Sequence, residues 1–339
     1  MTDRLSTASF AELRASLAGF PGLDEQAMAS ARQRQSQLTK PPGSLGMLED
    51  LAVTLAGWQG REKPVIDKAQ ALVFAGNHGV CAQGVNPFPQ EVTVQMVANF
   101  QHGGAAINQL CAANGCDLSV IALELDRPTG DISQGPAMTE AETLDAIRQG
   151  AEAVDPAAQV LVLGEMGIGN STIAAALALA TFGGTGSDWA GPGTGADEQG
   201  VSHKARVVEQ AVATNRSALA DPFSTLAALG GREQAAICGA VLEARRRCIV
   251  VVLDGFICTA AAAPLHAIPG ALDHCIAGHV SAEPGHKRLL AALGKTPLLS
   301  LGMRLGEGSG AALAVSVLRS AVACHSGMAT FAEAGVAGG

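Results

Sequence analysis

The feature that most constrains the fold of this 339-residue chain is an alternation of short apolar runs with longer helical segments. Strands that are apolar on both faces and separated by helices are typical of a parallel sheet covered on both sides. The alternation therefore predicts an α/β fold: doubly wound, mainly parallel, with helices on both faces. The apolar runs are 71–74, 118–123, 160–163 and 248–253, and the helical segments between them are 90–114, 139–154, 171–181, 202–216 and 232–246.

The two ends of the chain are also predicted to be helical. Residues 10–58 read as helices that are interrupted by the sequence KPPGSLG at 40–46, because consecutive prolines prevent a continuous helix. We therefore expect a large α/β catalytic domain over residues 60–310. Residues 1–59 and 311–339 are expected to form a small helical domain.

Composition excludes several classes of function. A net charge of −9, 3% aromatic residues and no tyrosine argue against a nucleic-acid partner. No apolar stretch reaches the ~18 residues of a membrane span, and the first residues open no long apolar run like that of a secretory signal. The eight cysteines contain no C-x-x-C pair and are expected to be reduced. We expect a cytoplasmic protein without a membrane partner.

The segment RLGEGSG at 304–310 places one carboxylate, Glu307, between Gly306 and Gly308 where a turn runs into an apolar helix. Glycine permits backbone angles that other residues avoid and a close approach of a ligand. The N–H groups that begin the helix, from Ser309 onward, are free to bind an anion. Glu307 is not needed for packing there, so it has either a chemical role or a favourable interaction with the helix dipole.

The loops after the predicted strands are where an open α/β sheet binds ligands. In the first loop, His78 can hydrogen-bond a substrate or act as an acid or base near neutral pH, and it can equally be tied to a backbone carbonyl. Phe88 lies between two prolines that stiffen the loop. It can cover a planar ligand or be a plain core residue.

The loop after the third predicted strand combines a carboxylate, Glu165, with a glycine-rich turn that contains Gly167. Its G-x-x-G-x-G spacing is not the dinucleotide-binding G-x-G-x-x-G. What remains is a strand, a glycine loop and a helix start that can receive an anion or simply cap the helix. The residues at this helix start are Asn170, Ser171 and Thr172.

Two further positions are candidates for binding. Lys204 follows the glycine-rich loop 191–195, and glycine amides with a nearby lysine suit a phosphate, although a solvated basic face is the alternative. Asp254 lies at the end of the fourth predicted strand, where it either binds a ligand or caps the next helix. The histidines at 274, 279 and 286 lack the spacing of a metal site, so we expect no metal.

Five of these segments, taken in order, resemble the nicotinate-nucleotide–dimethylbenzimidazole phosphoribosyltransferase family of cobalamin synthesis. The resemblance extends from about residue 20 to 335, and KPPGSLG and RLGEGSG are its most specific parts. The segments are 40–46, 77–80, 164–172, 253–256 and 304–310.

The resemblance implies a reaction in which nicotinate mononucleotide and 5,6-dimethylbenzimidazole give α-ribazole 5′-phosphate and nicotinate. It implies a homodimer that needs no cofactor. Glu307 matches the carboxylate taken as general base in that family. Glu165 and the loop 167–172 match part of the ribosyl-phosphate site, and Lys204 corresponds to its phosphate-binding lysine.

The chemistry of this reaction suits these residues. Nicotinate leaves from a pyridinium, so its departure neutralises a positive charge and needs neither a metal nor a strong acid. Attack by one benzimidazole nitrogen makes that ring cationic, and a carboxylate within about 3 Å can then take the proton of its other nitrogen. A single displacement converts the β to the α configuration.

Three positions depart from the pattern expected for the family. Gln83 replaces an acidic residue and Phe88 a tyrosine, which leaves the preferred base open between dimethylbenzimidazole, benzimidazole, adenine and a phenol. Arg232 replaces an apolar residue, and the sequence gives it no role.

Two other classes of function remain as alternatives. A nicotinamide-dependent oxidoreductase should show G-x-G-x-x-G after the first strand. A non-catalytic protein that binds nucleotides or benzimidazoles would not need Glu307 as a base.

Overall fold

The computed structural model describes residue 5 and residues 7–337. Its centre is a six-stranded sheet in the order β2-β1-β3-β4-β5-β6, in which every neighbouring pair is parallel. The prediction of a parallel α/β fold is therefore confirmed. The strands are β1 Ala69–Ala75, β2 Cys116–Ala122, β3 Val160–Met166, β4 Val250–Leu253, β5 Cys275–His279 and β6 Pro297–Leu299.

Helices connect the strands and cover the sheet. The first seven are α1 Phe10–Ser16, α2 Glu25–Gln37, α3 Met47–Gln59, α4 Glu91–Gln101, α5 Ala106–Asn114, α6 Glu140–Glu152 and α7 Asn170–Phe182. The remainder are α8 Gly186–Trp189, α9 Glu198–Thr214, α10 Pro222–Leu229, α11 Arg232–Arg246, α12 Phe256–Ala262, α13 Pro284–Ala292, α14 Ser309–Gly327 and α15 Phe331–Ala334. Short 3-10 turns lie at Gly79–Gln83, Arg216–Ala218 and Ala263–Ala267.

Alternate residues of each central strand enter different cores, because successive side chains of a strand point to opposite faces. In β1, Leu72 and Phe74 join the core that contains α6, α7, α11 and α12. Ala71 and Val73 join the core that contains α3, α5 and α14. Both faces of the central strands β1, β3 and β4 are therefore buried, which explains their continuous apolar runs in the sequence.

The structure corrects two details of the predicted elements. The segment 90–114 is two helices, α4 and α5, because the chain turns at Gly103, whose φ is +77°. The strands β5 and β6 were not predicted. They are short, and β6 has only three residues and begins with a proline.

The two ends of the chain come together. Leu38 pairs with Thr330 in an isolated antiparallel bridge, and the guanidinium of Arg34 donates to the carbonyl of His325 at 2.8 Å. Leu55 of α3 and Leu318 of α14 also belong to the core on one face of the sheet. These two helices therefore pack directly against the sheet. The domain boundaries at residues 59 and 311 stay a prediction. Within the described residues, no helix is long and apolar enough to span a bilayer.

Candidate active site

A cavity of about 600 Å³ opens at the carboxyl ends of β3, β4 and β5. Its position is that expected for a ligand site in an open parallel sheet. Most of the residues that the sequence singled out line it. They are Phe88, Glu165, Gly167, Asn170, Ser171, Lys204, Gly306 and Glu307.

Glu307 stands in a backbone conformation that residues with a side chain rarely adopt. Its φ is +64°, and those of Gly306 and Gly308 on either side are +87° and +86°. The turn is held by the buried carboxylate of Asp254, which accepts the N–H of Gly308 at 3.2 Å and that of Ala311 at 2.9 Å. Asp254 thereby caps the start of α14 and fixes the residue next to Glu307.

The carboxyl group of Glu307 is well prepared to accept a proton. It lies in the cavity wall with only 6% of the residue exposed. Burial raises its pKa, a hydrogen bond from the N–H of Ile107 lowers it, and the charge of Asp254 raises it further. Oxygen Oε2 has no hydrogen-bond partner among the described residues. The net upward shift makes this carboxylate a stronger base than an exposed glutamate.

Glu165 is a second buried carboxyl group, at the end of β3. Burial, with the charges of Asp254 and Glu233, raises its pKa to about 8, and a hydrogen bond from the amide of Asn170 opposes this shift. At neutral pH the group is therefore mostly protonated and can donate a hydrogen bond.

A further part of the cavity, around Lys204, is suited to an anion. The ammonium group of Lys204, which is 2% exposed, donates to the hydroxyl of Ser171 at 3.1 Å and to the carbonyl of Gly191 at 2.9 Å. Ser171 lies in the first turn of α7, where backbone N–H groups are free. Burial lowers the pKa of Lys204, while the charge of Glu283 raises it. Glu283 in turn accepts the N–H of Gly193 at 3.1 Å.

Part of the cavity wall is apolar. Phe88, which is 47% exposed, stands at the mouth together with Leu305. An aromatic face and flexible methionines suit a flat, apolar ligand. The inner part of this wall is formed by Val92, Met96, Met166 and Ile168.

Five predicted residues lie behind the cavity lining. Asp254 and Gly308 form the hydrogen bond, described above, that clamps the turn of Glu307. The hydroxyls of Thr172 and Ser309 are buried, without a hydrogen-bond partner among the residues that the structure describes. The fifth is His78.

His78 is fully buried and pairs with Glu233, with 2.6 Å between Nε2 and Oε1. A Cβ on Gly167 would lie 3.1 Å from an atom of each partner, so the pair lies directly beneath the glycine loop of the cavity. The structure thus gives His78 contact with the cavity wall and not with its interior.

Arg232 and Gln83, the two other departures from the family pattern, both form polar contacts outside the cavity. Arg232, at the start of α11, donates to the carboxylates of Glu124 and Glu142 at 3.0 and 3.1 Å and to the carbonyl of Arg127 at 2.8 Å. Arg232 therefore links the start of α11 to α6 and to the loop that follows β2. The amide of Gln83 donates to Asp131 at 2.6 Å and does not line the cavity.

Sequence reasoning missed several lining residues. His279 is the last residue of β5 and Glu283 lies in the loop after it, and because that strand was not among those predicted, neither residue was given a binding role. Arg304 belongs to the glutamate segment itself and donates to the carbonyl of Gly193 at 3.1 Å. Within the described part of the chain, no group of three or more histidine, cysteine or acidic residues is placed to hold a metal ion.

Comparisons with known proteins agree on one family. A family described as phosphoribosyltransferase matches residues 20–336. The chain is 61% identical to the nicotinate-nucleotide–dimethylbenzimidazole phosphoribosyltransferase of Jannaschia sp. (strain CCS1), over 97% of this chain and 98% of the relative. It is 62% identical to the protein of that name from Ruegeria pomeroyi, with the same coverage. The crystal structure of CobT from Thermus thermophilus is 43% identical, with a TM-score of 0.85 over 93% of this chain and 100% of that one.

Proposed function

Because this chain belongs to the nicotinate-nucleotide–dimethylbenzimidazole phosphoribosyltransferase family, we propose that its cavity transfers the phosphoribosyl group of nicotinate mononucleotide to 5,6-dimethylbenzimidazole. The products are α-ribazole 5′-phosphate and nicotinate, and the α-ribazole serves as the lower ligand of cobalamin. The relatives are named as transferases, so neither an oxidoreductase nor a non-catalytic binding protein is favoured.

The observation that carries this proposal is the arrangement of the cavity around Glu307. A buried carboxylate with an unpaired oxygen lies in the wall of a cavity that has a cationic end at Lys204 and an apolar wall at Phe88. Each of these features matches one part of the reaction: a proton, a phosphate and a flat base.

We place the phosphate of the nucleotide at the start of α7, against Ser171 and the ammonium group of Lys204. The glycine loop at Gly167 lets the backbone approach the sugar closely. Glu165, which is mostly protonated at neutral pH, donates to the ribose. The attacking base lies against Phe88 and the methionines of the apolar wall.

The reaction is then one displacement at C1′ of the ribose. A lone pair of the azole nitrogen forms the new bond to C1′ while the bond to the nicotinate nitrogen breaks, and its electron pair neutralises the pyridinium. The other nitrogen of the attacking ring becomes acidic, and Glu307 takes its proton. Proton transfer to a positioned carboxylate contributes typically 10²–10⁴-fold to a rate, and the rest comes from positioning.

The residues behind the lining support this site from outside. Asp254, through Gly308, fixes the turn of Glu307, and Ser309 begins the helix that follows. Thr172 and the His78–Glu233 pair pack behind the loop that holds the ribose and phosphate. We propose that their substitution affects substrates indirectly.

We also propose that the enzyme is a cytoplasmic homodimer. The exposed apolar side chains of Phe88 and Leu305 at the cavity mouth favour a homodimer that covers them, and light scattering of the purified protein tests this. All eight cysteines are free thiols, which suits the reducing cytoplasm. The reaction needs no cofactor.

The test is chromatography of reactions that pair nicotinate mononucleotide with dimethylbenzimidazole, benzimidazole, adenine or a phenol. We expect release of nicotinate and one α-linked nucleotide for each base accepted. A β-linked product would contradict the single displacement, and no nucleotide with any base would contradict the proposed function.

A further inference from the structure

His279 is a buried side chain to which the proposed reaction gives no role. It is the last residue of β5, lines the cavity, and is 1% exposed. Its Nε2 lies 3.4 Å from Oδ1 of Asp254. Among the described residues neither ring nitrogen has a hydrogen-bond partner, so the contact with Asp254 is a close approach without hydrogen-bond geometry. The ring of His286 lies edge-on to that of His279, with 6.2 Å between the ring centres.

The ring is also wedged against the start of α14. It packs so closely on the Cα of Gly310 that a Cβ at this position would overlap the ring atoms. On its other side, Nε2 is 3.4 Å from where a Cβ of Gly255 would lie. The imidazole therefore has little freedom to turn away from Asp254.

The carboxylate that His279 contacts is the one that fixes the catalytic turn. Oδ1 of Asp254 accepts the N–H of Ala311, and Oδ2 accepts the N–H of Gly308. Gly308, whose N–H binds Asp254, is the residue directly after Glu307. A rotation of the Asp254 carboxylate would release a turn in which three consecutive residues have positive φ.

We propose that His279 is a positioning residue for Glu307, acting through Asp254. The ring, fixed by its packing on Gly310, keeps Nε2 3.4 Å from Oδ1 and confines the carboxylate to the plane in which both oxygens reach the N–H groups of the turn. An error of about 1 Å in the position of a catalytic group can cost roughly 10²-fold in rate, so a restraint at this distance has a measurable effect. This inference rests on the proposed role of Glu307 as the base.

The test compares two variants of similar length, His279→Gln and His279→Met. Glutamine places an amide N–H near the position of Nε2, whereas methionine fills similar space without a donor. We expect His279→Met to lower kcat by about tenfold or more, with KM for nicotinate mononucleotide changed by less than about threefold. His279→Gln should stay within about threefold of the parent in both constants.

A cycle with Glu307→Gln separates positioning from general damage. If His279 acts through the base, His279→Met should lower kcat by less than about threefold once Glu307 is glutamine. An equal loss in both backgrounds would overturn the inference. If Glu307→Gln alone is as fast as the parent, the proposed base fails instead. Should His279→Met not fold, His279→Asn, which is too short to reach Asp254, takes its place in the same cycle.

Discussion

The Cα of Gly306 lies against the carboxyl group of Glu165, so that a Cβ on this glycine would be 2.5 Å from Oε1. This contact brings the loop of Glu307 onto the end of β3, where the ribose is proposed to bind. The two carboxyl groups of the site are therefore neighbours only because residue 306 has no side chain.

Gly306→Ala should lower kcat by about 100-fold, because the added methyl group displaces either Glu165 or the turn of Glu307. Gly302→Ala is the matched control. Gly302 also has a positive φ, of +68°, but nothing lies within 4 Å of where its Cβ would be. Steady-state kinetics of the two variants decide the point, and equal losses would show that backbone strain, not the contact with Glu165, is responsible.

Lys204→Met should raise KM for nicotinate mononucleotide by about 10- to 100-fold, since a charged hydrogen bond to the phosphate is lost. Arg206→Met removes an exposed cation from the same helix and should leave KM unchanged. Initial rates at varied nucleotide concentration give both values. A similar KM in the two variants would place the phosphate elsewhere in the cavity.

Glu165→Gln should change how stability depends on pH. The pKa of Glu165 is about 8 in the folded protein, above its ordinary value of 4.5, so folding retains a proton that the unfolded chain loses. The stabilisation is complete below pH 4.5 and is lost as pH rises towards 8. Between these values the parent should lose about 1.4 kcal/mol per pH unit relative to Glu165→Gln. Urea unfolding of both proteins at pH 5.5 and 7.5 measures this, and parallel curves would contradict it.

Phe88→Ala should raise KM for dimethylbenzimidazole by about tenfold, because stacking on an aromatic ring is worth ~1–3 kcal/mol. KM for nicotinate mononucleotide should change little. Val94→Ala is the control, since Val94 is similarly exposed, at 51%, but does not line the cavity. If Phe88→Ala affects the nucleotide and not the base, the two substrates occupy the reverse positions.

Much of this site could be predicted from the sequence, because its residues follow strands with strong signals. The runs before Glu165 and Asp254 are continuous and apolar, and a glycine or a helix cap follows each of them. The parallel arrangement then brings the ends of these strands to one edge of the sheet. Glu307 was recognisable because a glutamate between glycines has no packing role.

What the sequence could not supply depends on contacts between distant segments. His78 and Glu233 are 155 residues apart, and only the packing of α11 against β1 brings them together. His279 was given no binding role, because β5 is short, contains a glycine and was not among the predicted strands. The clamp of Asp254 on Gly308 likewise exists only once α14 is packed against the sheet.

The central claim is that Glu307 takes the proton of the attacking base, and the rate of α-ribazole 5′-phosphate formation by Glu307→Gln tests it most directly. Glutamine keeps the shape of the side chain and removes its basicity. We predict product formation by the parent without added metal, and a rate about tenfold or more lower for the variant at equal nucleotide binding. A variant as fast as the parent, or a parent that turns over only with metal, would contradict the account.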